Sequence, residues 1–193
     1  MQPMLTMAVR AAKQAGELIA KAAQQLQFVD VEVEAKGIND FVTRVDRDAE
    51  RLIIENLRKA YPIHGFQGEE SGLIEGQGVG KDWLWIIDPL DGTKEFIKRN
   101  GEFTVNIALI HQGEAIAGVV YAPVLNTTYY GAKHLGAWRQ DGQQEQPLQG
   151  CKMPRQVPIV VGSRSHLSPD VADYLNNIGQ HTIKTKRVKA TRH

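Results

Sequence analysis

Two aspartates stand three residues apart at the end of an apolar run. Residues 83–87 are apolar or aromatic, and the sequence Asp-Pro-Leu-Asp-Gly follows at 88–92. The run predicts a buried strand, and Pro89 should end its ladder because proline has no N–H and a fixed φ. Such a strand would present Asp88 and Asp91 at its tip, where paired carboxylates attract hard cations such as Mg2+.

The residues after this turn predict the start of a helix. Gly92 permits a sharp reversal of the chain, and Thr93 can cap a helix that begins at Lys94. The N–H groups at a helix N-terminus attract phosphate, so that a cation and a phosphate could be held side by side. An ordinary Asp-Gly turn followed by a capped helix would use the same residues. On this stretch alone, both interpretations stay open.

Two further acidic elements lie upstream. Glu69 and Glu70 occupy a glycine-rich loop, and the repulsion between adjacent carboxylates is relieved when a cation binds. A solvated acidic loop would explain the pair equally well. Asp46 should lie in the first turn of a helix, where the helix dipole alone would favour an acid by about 0.3–1 kcal/mol.

Together the three elements resemble the inositol monophosphatase superfamily of Mg2+-dependent, lithium-sensitive phosphatases. The matching segments are Asp40-Phe41-Val42-Thr43-Arg44-Val45-Asp46, Gly68-Glu69-Glu70-Ser71 and Asp88-Pro89-Leu90-Asp91-Gly92-Thr93. They occur in the order and at the spacing of the family, which accidental motif matches rarely reproduce.

The resemblance implies three sets of site residues. The metal ligands would be Glu69, Asp88, the Leu90 carbonyl and Asp91. The groups that orient the attacking water would be Glu70, Thr93 and Asp46. The groups around the substrate phosphate would be Glu69, Asp91, Gly92, Thr93 and Lys94, the last three through backbone N–H groups. Lys36 also matches a family position near the site.

Different parts of the chain resemble different branches of the superfamily. Residues 3–5 and 59–62 resemble bacterial inositol monophosphatases, whereas residues 91–106 and 120–123 resemble 3'(2'),5'-bisphosphate nucleotidases. Residues 163–166 also match the nucleotidases, and either Ser163, Arg164 and His166 contact a nucleotide or the segment is an ordinary polar loop after a strand. The nucleotidase match is longer and nearer the site, so the preferred substrate is 3'-phosphoadenosine 5'-phosphate, hydrolysed to AMP and phosphate. Inositol 1-phosphate is the alternative.

The end of the sequence departs from the family pattern. Family members carry a later Trp-Asp element whose aspartate binds a second metal, and no tryptophan follows Trp138 in this chain. Residues 182–193 are basic instead, which suits either an arm for acidic partners or a truncated or engineered end. We expect such a chain to be at best a weak phosphatase that associates through an apolar edge at residues 159–161. A non-catalytic remnant or interaction protein is therefore a third hypothesis.

Two helices and a series of strands should position these residues. Apolar residues at helical spacing predict helices over residues 3–25 and 45–60. Alternating patterns between turn residues predict strands over residues 29–35, 103–110, 115–121, 127–131 and 136–139. We expect an α+β layer with the helices on an antiparallel sheet, in the inositol monophosphatase (sugar phosphatase)-like fold that the resemblance implies.

The remaining segments suggest two domains. Residues 36–40 should form a loop, and the polar residues 143–156 should form a linker. Residues 158–162 read as a strand and 168–178 as a helix that Pro169 begins, which together would start an α/β unit. We expect a metal-binding phosphatase domain over residues 1–150 and an incomplete α/β domain over residues 151–193.

The composition is that of an ordinary enzyme that acts on small molecules. The 193 residues are 42% hydrophobic with a net charge of +1, which gives no reason to expect nucleic-acid binding. Cys151 is the only cysteine, so no intrachain disulfide can form and a reducing compartment is favoured. No apolar run approaches the ~20 residues of a membrane span, and the N-terminus lacks a signal peptide pattern. We expect a cytoplasmic protein with a small phosphorylated substrate, and self-association stays open.

Overall fold

The computed structural model describes residues 2–26 and 35–150, with two short strands at 159–160 and 184–185. The chain divides into two compact units, Met1–Leu148 and Gln149–His193. Side chains are described for residues 2–25 and 40–150. The predicted helix at 168–178 and the predicted nucleotide contacts at 163–166 lie outside the described residues.

The first unit begins with two long helices. Helix α1 spans Gln2–Leu26, which confirms the predicted amphipathic helix. Helix α2 spans Ala35–Ala60, so it starts ten residues earlier than predicted. Buried Val42 and Val45 continue the apolar stripe of Ala49 at helical spacing, and the segment contains no proline that would stop the helix.

The longer second helix corrects two predictions. Residues 36–40 are helical and do not form a loop. Asp46 lies in the interior of α2, far from its first turn, so the helix dipole does not account for an acid there. The predicted strand at 29–35 lies outside the described residues apart from Ala35, which is helical.

Eight strands form one sheet in the first unit. They are β1 Gly65–Gly68, β2 Gly72–Ile74, β3 Trp83–Asp91, β4 Thr104–His111, β5 Glu114–Ala122, β6 Thr127–Ala132, β7 Gly136–Asp141 and β8 Gln144–Leu148. Their order across the sheet is β2-β1-β3-β4-β5-β6-β7-β8. Neighbours are antiparallel except β1 and β3, which are parallel. The predicted α+β class, with helices on a mostly antiparallel sheet, is confirmed.

Three strands of this sheet were missed by the sequence patterns. Strands β1 and β2 are only four and three residues long and contain three glycines, so neither shows clear alternation. Strand β8 falls in the predicted linker, because its residues are mostly polar and all are exposed. It pairs with β7 at the edge of the sheet, where Pro147 is tolerated.

The core lies between the two helices and one face of the sheet. Fully buried side chains come from both layers, among them Ile19 of α1, Ile53 and Leu57 of α2, and Trp85 and Leu109 of the sheet. This packing fixes α2 against β3, and it is α2 that brings Asp46 near the end of that strand. Among the described residues, no helix is long and apolar enough to cross a membrane.

Strand β3 continues past Pro89, contrary to prediction. Asp88 pairs with Asn106 and Asp91 pairs with Thr104, with a register shift between them. Two residues of β3 therefore oppose one of β4, which is a β-bulge. The bulge accommodates Pro89, which has no N–H to donate, and the strand remains in the sheet as far as Asp91.

Two short strands are described in the second unit. Strand β9, Ile159–Val160, pairs in parallel with β10, Lys184–Thr185. The strand predicted at 158–162 is present in these two residues. They have a hydrogen-bonded neighbour, so the apolar edge expected there is paired on that side. Lys184 and Thr185 form a strand within the segment for which a basic arm is one prediction.

Candidate metal centre

Acidic side chains from three elements converge near Asp46. The pKa of the Asp46 carboxyl is raised from its ordinary 3.8 to about 7, and burial is the largest cause. The charges of four nearby carboxylates contribute the rest of the increase, in the order Glu70, Glu69, Asp88 and Glu50. Helix α2, the turn between β1 and β2, and the end of β3 therefore meet at one acidic cluster.

Asp88 experiences the same kind of environment. Its pKa is raised to about 6, first by burial and then by the charges of Asp91 and Glu69. A side-chain hydrogen bond with Glu69 also raises the pKa, whereas the hydrogen bond from the Leu90 backbone N–H lowers it. The predicted ligands Glu69 and Asp91 are thus close enough to Asp88 to act on its carboxyl group.

Two carboxylate oxygens in this cluster are buried without a partner. Asp46 Oδ1 and Asp88 Oδ1 make no hydrogen bond. A buried polar atom without a partner is costly, and a charged one more so. A hard cation would supply the missing interaction and neutralise the repulsion, so these residues fit Mg2+ by donor chemistry.

The carboxylates are not arranged as a closed ligand set, however. Over residues 2–25 and 40–150, no three Asp, Glu, His or Cys side chains are placed so that they could hold a metal ion together. One reason is visible at Glu70, whose Oε2 accepts a hydrogen bond from Arg47 Nε at 3.0 Å. Metal binding would require some of these exposed side chains to reorient.

The turn after β3 differs in detail from the prediction. Helix α3 spans Thr93–Ile97 and its N-cap is Gly92, with φ of 97°, so Thr93 is the first helical residue and not the cap. A Cβ at Gly92 would lie 2.9 Å from the Glu102 carbonyl oxygen. Glycine therefore meets both a left-handed backbone and a close approach. Lys94 is exposed on α3.

The Leu90 carbonyl, a predicted metal ligand, already has a partner. It accepts a hydrogen bond from the Thr93 hydroxyl at 3.3 Å. This bond ties Thr93 to the same turn as the two aspartates. A carbonyl oxygen has two lone pairs, so the Leu90 carbonyl keeps one acceptor site.

Two residues at the cluster were not singled out from the sequence. Asn106 donates from Nδ2 to Asp91 Oδ2 at 3.2 Å, and it lies opposite Asp88 on the neighbouring strand. Glu50 lies one helical turn beyond Asp46 and is 2% exposed. Helical spacing from Asp46 could have found Glu50. Asn106 could be found only once the register of β3 and β4 was known. The side chain of Lys36 is not described.

Comparison with known proteins gives one family. A family model described as the inositol monophosphatase family matches residues 1–189. The Nus factor SuhB of Pseudomonas aeruginosa is 47% identical over 137 residues, 71% of this chain and 50% of that protein. The 3'(2'),5'-bisphosphate nucleotidase CysQ of Escherichia coli K12 is 41% identical over 187 residues, 92% of this chain and 70% of that protein.

Solved structures agree with this result. The crystal structure of CysQ from Bacteroides thetaiotaomicron, described as a bacterial member of the inositol monophosphatase family, has a TM-score of 0.78 and 31% identity. The match covers 96% of this chain and 72% of that one. The chain spans 50% of the length of the P. aeruginosa relative.

Proposed function

Because the chain belongs to the inositol monophosphatase family, whose members are metal-dependent phosphatases, we propose that it takes part in Mg2+-dependent hydrolysis of a phosphate monoester. The observation that supports this most is the pair of buried, unpartnered oxygens on Asp46 and Asp88. They lie in a cluster where the charges of nearby carboxylates raise the pKa of both Asp46 and Asp88. A bound cation would offset the cost of both features.

The proposed metal ligands are the carboxylates that share this cluster and one backbone oxygen. They are Glu69, Asp88, Asp91 and the Leu90 carbonyl. When bound, Mg2+ lowers the pKa of water and neutralises charge on a phosphate. The chain supplies hard oxygen donors on two elements, strand β3 and the turn between β1 and β2.

The remaining site residues would orient the water and the phosphate. Glu70 and Thr93, with Asp46, lie around the cluster and would position the attacking water. In this role Glu70 would give up its ion pair with Arg47 and bind the water instead. The lost ion pair costs little free energy because the Arg47 side chain is 68% exposed. The backbone N–H groups of residues 92–94, at the start of α3, would donate to phosphate oxygens, as Glu69 and Asp91 approach from the metal side.

For the substrate we propose a 3'(2'),5'-bisphosphate nucleotide, with 3'-phosphoadenosine 5'-phosphate as the test compound. Residues 94–106, next to the cluster, carry the nucleotidase-like sequence, and the match to the nucleotidase CysQ extends over 187 residues. Inositol 1-phosphate is the second candidate, favoured by the inositol monophosphatase-like sequence at residues 3–5 and 59–62.

A role in interaction without catalysis is a third candidate. The 47% identity to a protein named as a Nus factor supports it. So does the lack of a closed ligand set among residues 2–25 and 40–150. These alternatives are separated by two experiments.

The first experiment tests the metal. Mg2+ should raise the melting temperature of the wild-type chain, because a ligand that binds only the native state stabilises it. Asp88→Asn should abolish that increase while the protein stays folded. Asp82→Asn is the matched control, because Asp82 is exposed just before β3 and lies outside the cluster. A full Mg2+ response in Asp88→Asn would rule out Asp88 as a ligand.

The second experiment tests the substrate. Phosphate release at saturating Mg2+ should be faster from 3'-phosphoadenosine 5'-phosphate than from inositol 1-phosphate. The reverse preference would assign the chain to the inositol monophosphatase branch. No release from either compound, with Mg2+ binding retained, would favour the interaction role.

A further inference from the structure

Glu50 is a deeply buried acid outside the predicted ligand set. It lies in α2, it is 2% exposed, and both of its carboxylate oxygens are used. Oε2 accepts the backbone N–H of Glu70 and Oε1 accepts that of Ser71, each at 2.8 Å. Each oxygen thus accepts one backbone N–H, so the carboxylate of Glu50 is engaged with the turn that carries Glu70 and Ser71.

The backbone of Gly68 also lies close to the Glu50 carboxylate. A Cβ added at Gly68 would lie 2.3 Å from Glu50 Cδ, which is too close for any side chain at position 68 in this arrangement. The turn that follows β1 therefore wraps around the Glu50 carboxylate, with Gly68 on one side and the N–H groups of residues 70 and 71 on the other. The glycine at 68 is needed for this approach.

The two partners of this contact differ in burial and secondary structure. Glu50 is anchored in a helix whose neighbouring core residues, Ala49 and Ile53, are fully buried. Residues 69–71 are exposed and belong to no strand. Glu69 and Glu70, which carry proposed functional roles, thus sit on a turn that packs on the helix of Asp46 through Glu50.

We propose that Glu50 is a positioning residue that holds this turn so that Glu69 and Glu70 face Asp46 and Asp88. Two charge-assisted hydrogen bonds from one buried carboxylate fix both the distance and the direction of the turn. Glu50 touches neither metal nor substrate in this role. Its effect on metal binding rests on the proposed function, whereas its hold on the turn does not.

The test variant is Glu50→Gln, which keeps the shape of the side chain. An amide offers one acceptor oxygen, and its NH2 group would face a backbone N–H. Glu55→Gln is the matched control, because it removes the same charge from an exposed position of the same helix. Gly68→Ala disturbs the contact from the opposite side. All variants are made in the full 193-residue chain.

Two readouts are compared on the folded proteins. In the absence of metal, amide hydrogen exchange at residues 70 and 71 should be slow in the wild type and in Glu55→Gln, and faster in Glu50→Gln. Titration with Mg2+ alone should show affinity about 10- to 100-fold weaker in Glu50→Gln, the range found when groups that orient metal ligands are changed. Glu55→Gln should bind Mg2+ like the wild type.

The outcomes separate this proposal from the proposed function. If the wild type does not bind Mg2+, the proposed function fails, and the exchange rates alone still decide whether Glu50 holds the turn. Unchanged exchange at residues 70 and 71 in Glu50→Gln overturns the proposal. So does a lower melting temperature with unchanged Mg2+ affinity, which is the result expected of a merely structural residue. If Glu50→Gln does not fold, Gly68→Ala is judged by the same two readouts.

Discussion

The two ends of strand β3 differ in whether the buried polar atoms near them have hydrogen-bond partners. At its beginning, Trp85 donates from Nε1 to His64 Nδ1 at 3.1 Å, and both side chains are buried. At its end, Asp46 Oδ1 and Asp88 Oδ1 are buried without partners. Satisfied groups are the rule in protein interiors. The unsatisfied end therefore carries a cost that nothing in the surrounding packing explains, and a ligand would offset it.

The satisfied end is also a ring stack. His64 stacks between Tyr61 and Trp83, at centroid distances of 5.0 and 5.3 Å, and Trp83 stacks on His111 at 3.9 Å. Burial lowers the pKa of His64, and the charge of His111 lowers it further. A neutral imidazole can accept the Trp85 bond at Nδ1. At this end the hydrogen bond to His64 suits its neutral form. At the acidic end, by contrast, the buried oxygens of Asp46 and Asp88 lack the partners that a charged carboxylate needs.

The largest expected effect comes from emptying the aromatic end. Trp85→Ala should lower the free energy of unfolding by about 3–5 kcal/mol, because it leaves a large cavity and removes the donor to His64. Urea denaturation measures the loss. Mg2+ affinity of the folded fraction should be unchanged if the two ends are independent.

The control for this change is Trp138→Ala. Trp138 is only half-buried on β7 and stacks on Tyr130, so its removal should cost less. A loss in Trp85→Ala no larger than in Trp138→Ala would mean that the aromatic end does not anchor the fold.

The second prediction is that the two ends respond to pH with opposite signs. The folded pKa of Asp46 and Asp88, about 7 and about 6, lies above the ordinary value of 3.8. Their stabilising contribution is therefore complete below that value and is lost as pH rises through 6 to 7. The pKa of His64 is lowered from 6.5, so its contribution is present above that value and is lost as pH falls.

Two variants separate these contributions in metal-free protein. At pH 8, Asp46→Asn should raise the free energy of unfolding by about 1–3 kcal/mol, and this gain should decrease as the pH falls and vanish near 3.8, the ordinary pKa of the Asp46 carboxyl. His64→Asn keeps an acceptor for the Trp85 N–H, and it should reduce only the loss of stability that occurs as the pH falls. Denaturation at a series of pH values measures both. A stability gain in Asp46→Asn that is independent of pH would show that the buried negative charge is not its cause.

The contrast between the two ends also shows what the sequence could predict. Five acidic residues of the cluster, Asp46, Glu69, Glu70, Asp88 and Asp91, were singled out by type, spacing and the family resemblance. The helix-on-sheet class followed from periodicity. Asn106 and Glu50 were missed because their roles depend on the pairing of β4 with β3 and on where α2 packs. The start of α2 at Ala35 and the strand at 144–148 were missed for a similar reason. Tertiary packing and edge pairing decided both, against weak local signals.

A smaller effect is expected at Asn106, which links the two aspartates of the turn. Asn106→Ala removes the hydrogen bond to Asp91, but it also removes Asn106 Oδ1, which is buried without a partner. These effects oppose each other, so the free energy of unfolding should change by less than about 1 kcal/mol. Mg2+ affinity should nevertheless fall, because Asp91 loses the group that orients it.

The control for Asn106 is Asn100→Ala, at an exposed position whose side chain accepts the Glu102 N–H. Calorimetric titration with Mg2+ compares the two variants. Equal affinity in both would place the Asn106 bond outside the metal site.

The smallest expected effect tests how the aromatic end keeps His64 neutral. His111→Phe retains a ring over Trp83 but removes a titratable group, so the stability at pH 8 should change by less than about 0.5 kcal/mol. The charge of His111 is the second cause of the lowered pKa of His64, after burial. In the variant, the pKa of His64 should therefore rise part of the way towards 6.5, with burial accounting for the remaining difference. Titration of His64 by NMR measures this shift. If the pKa stays where it is in the wild type, burial alone keeps the imidazole neutral, and the ring of His111 serves only to pack against Trp83.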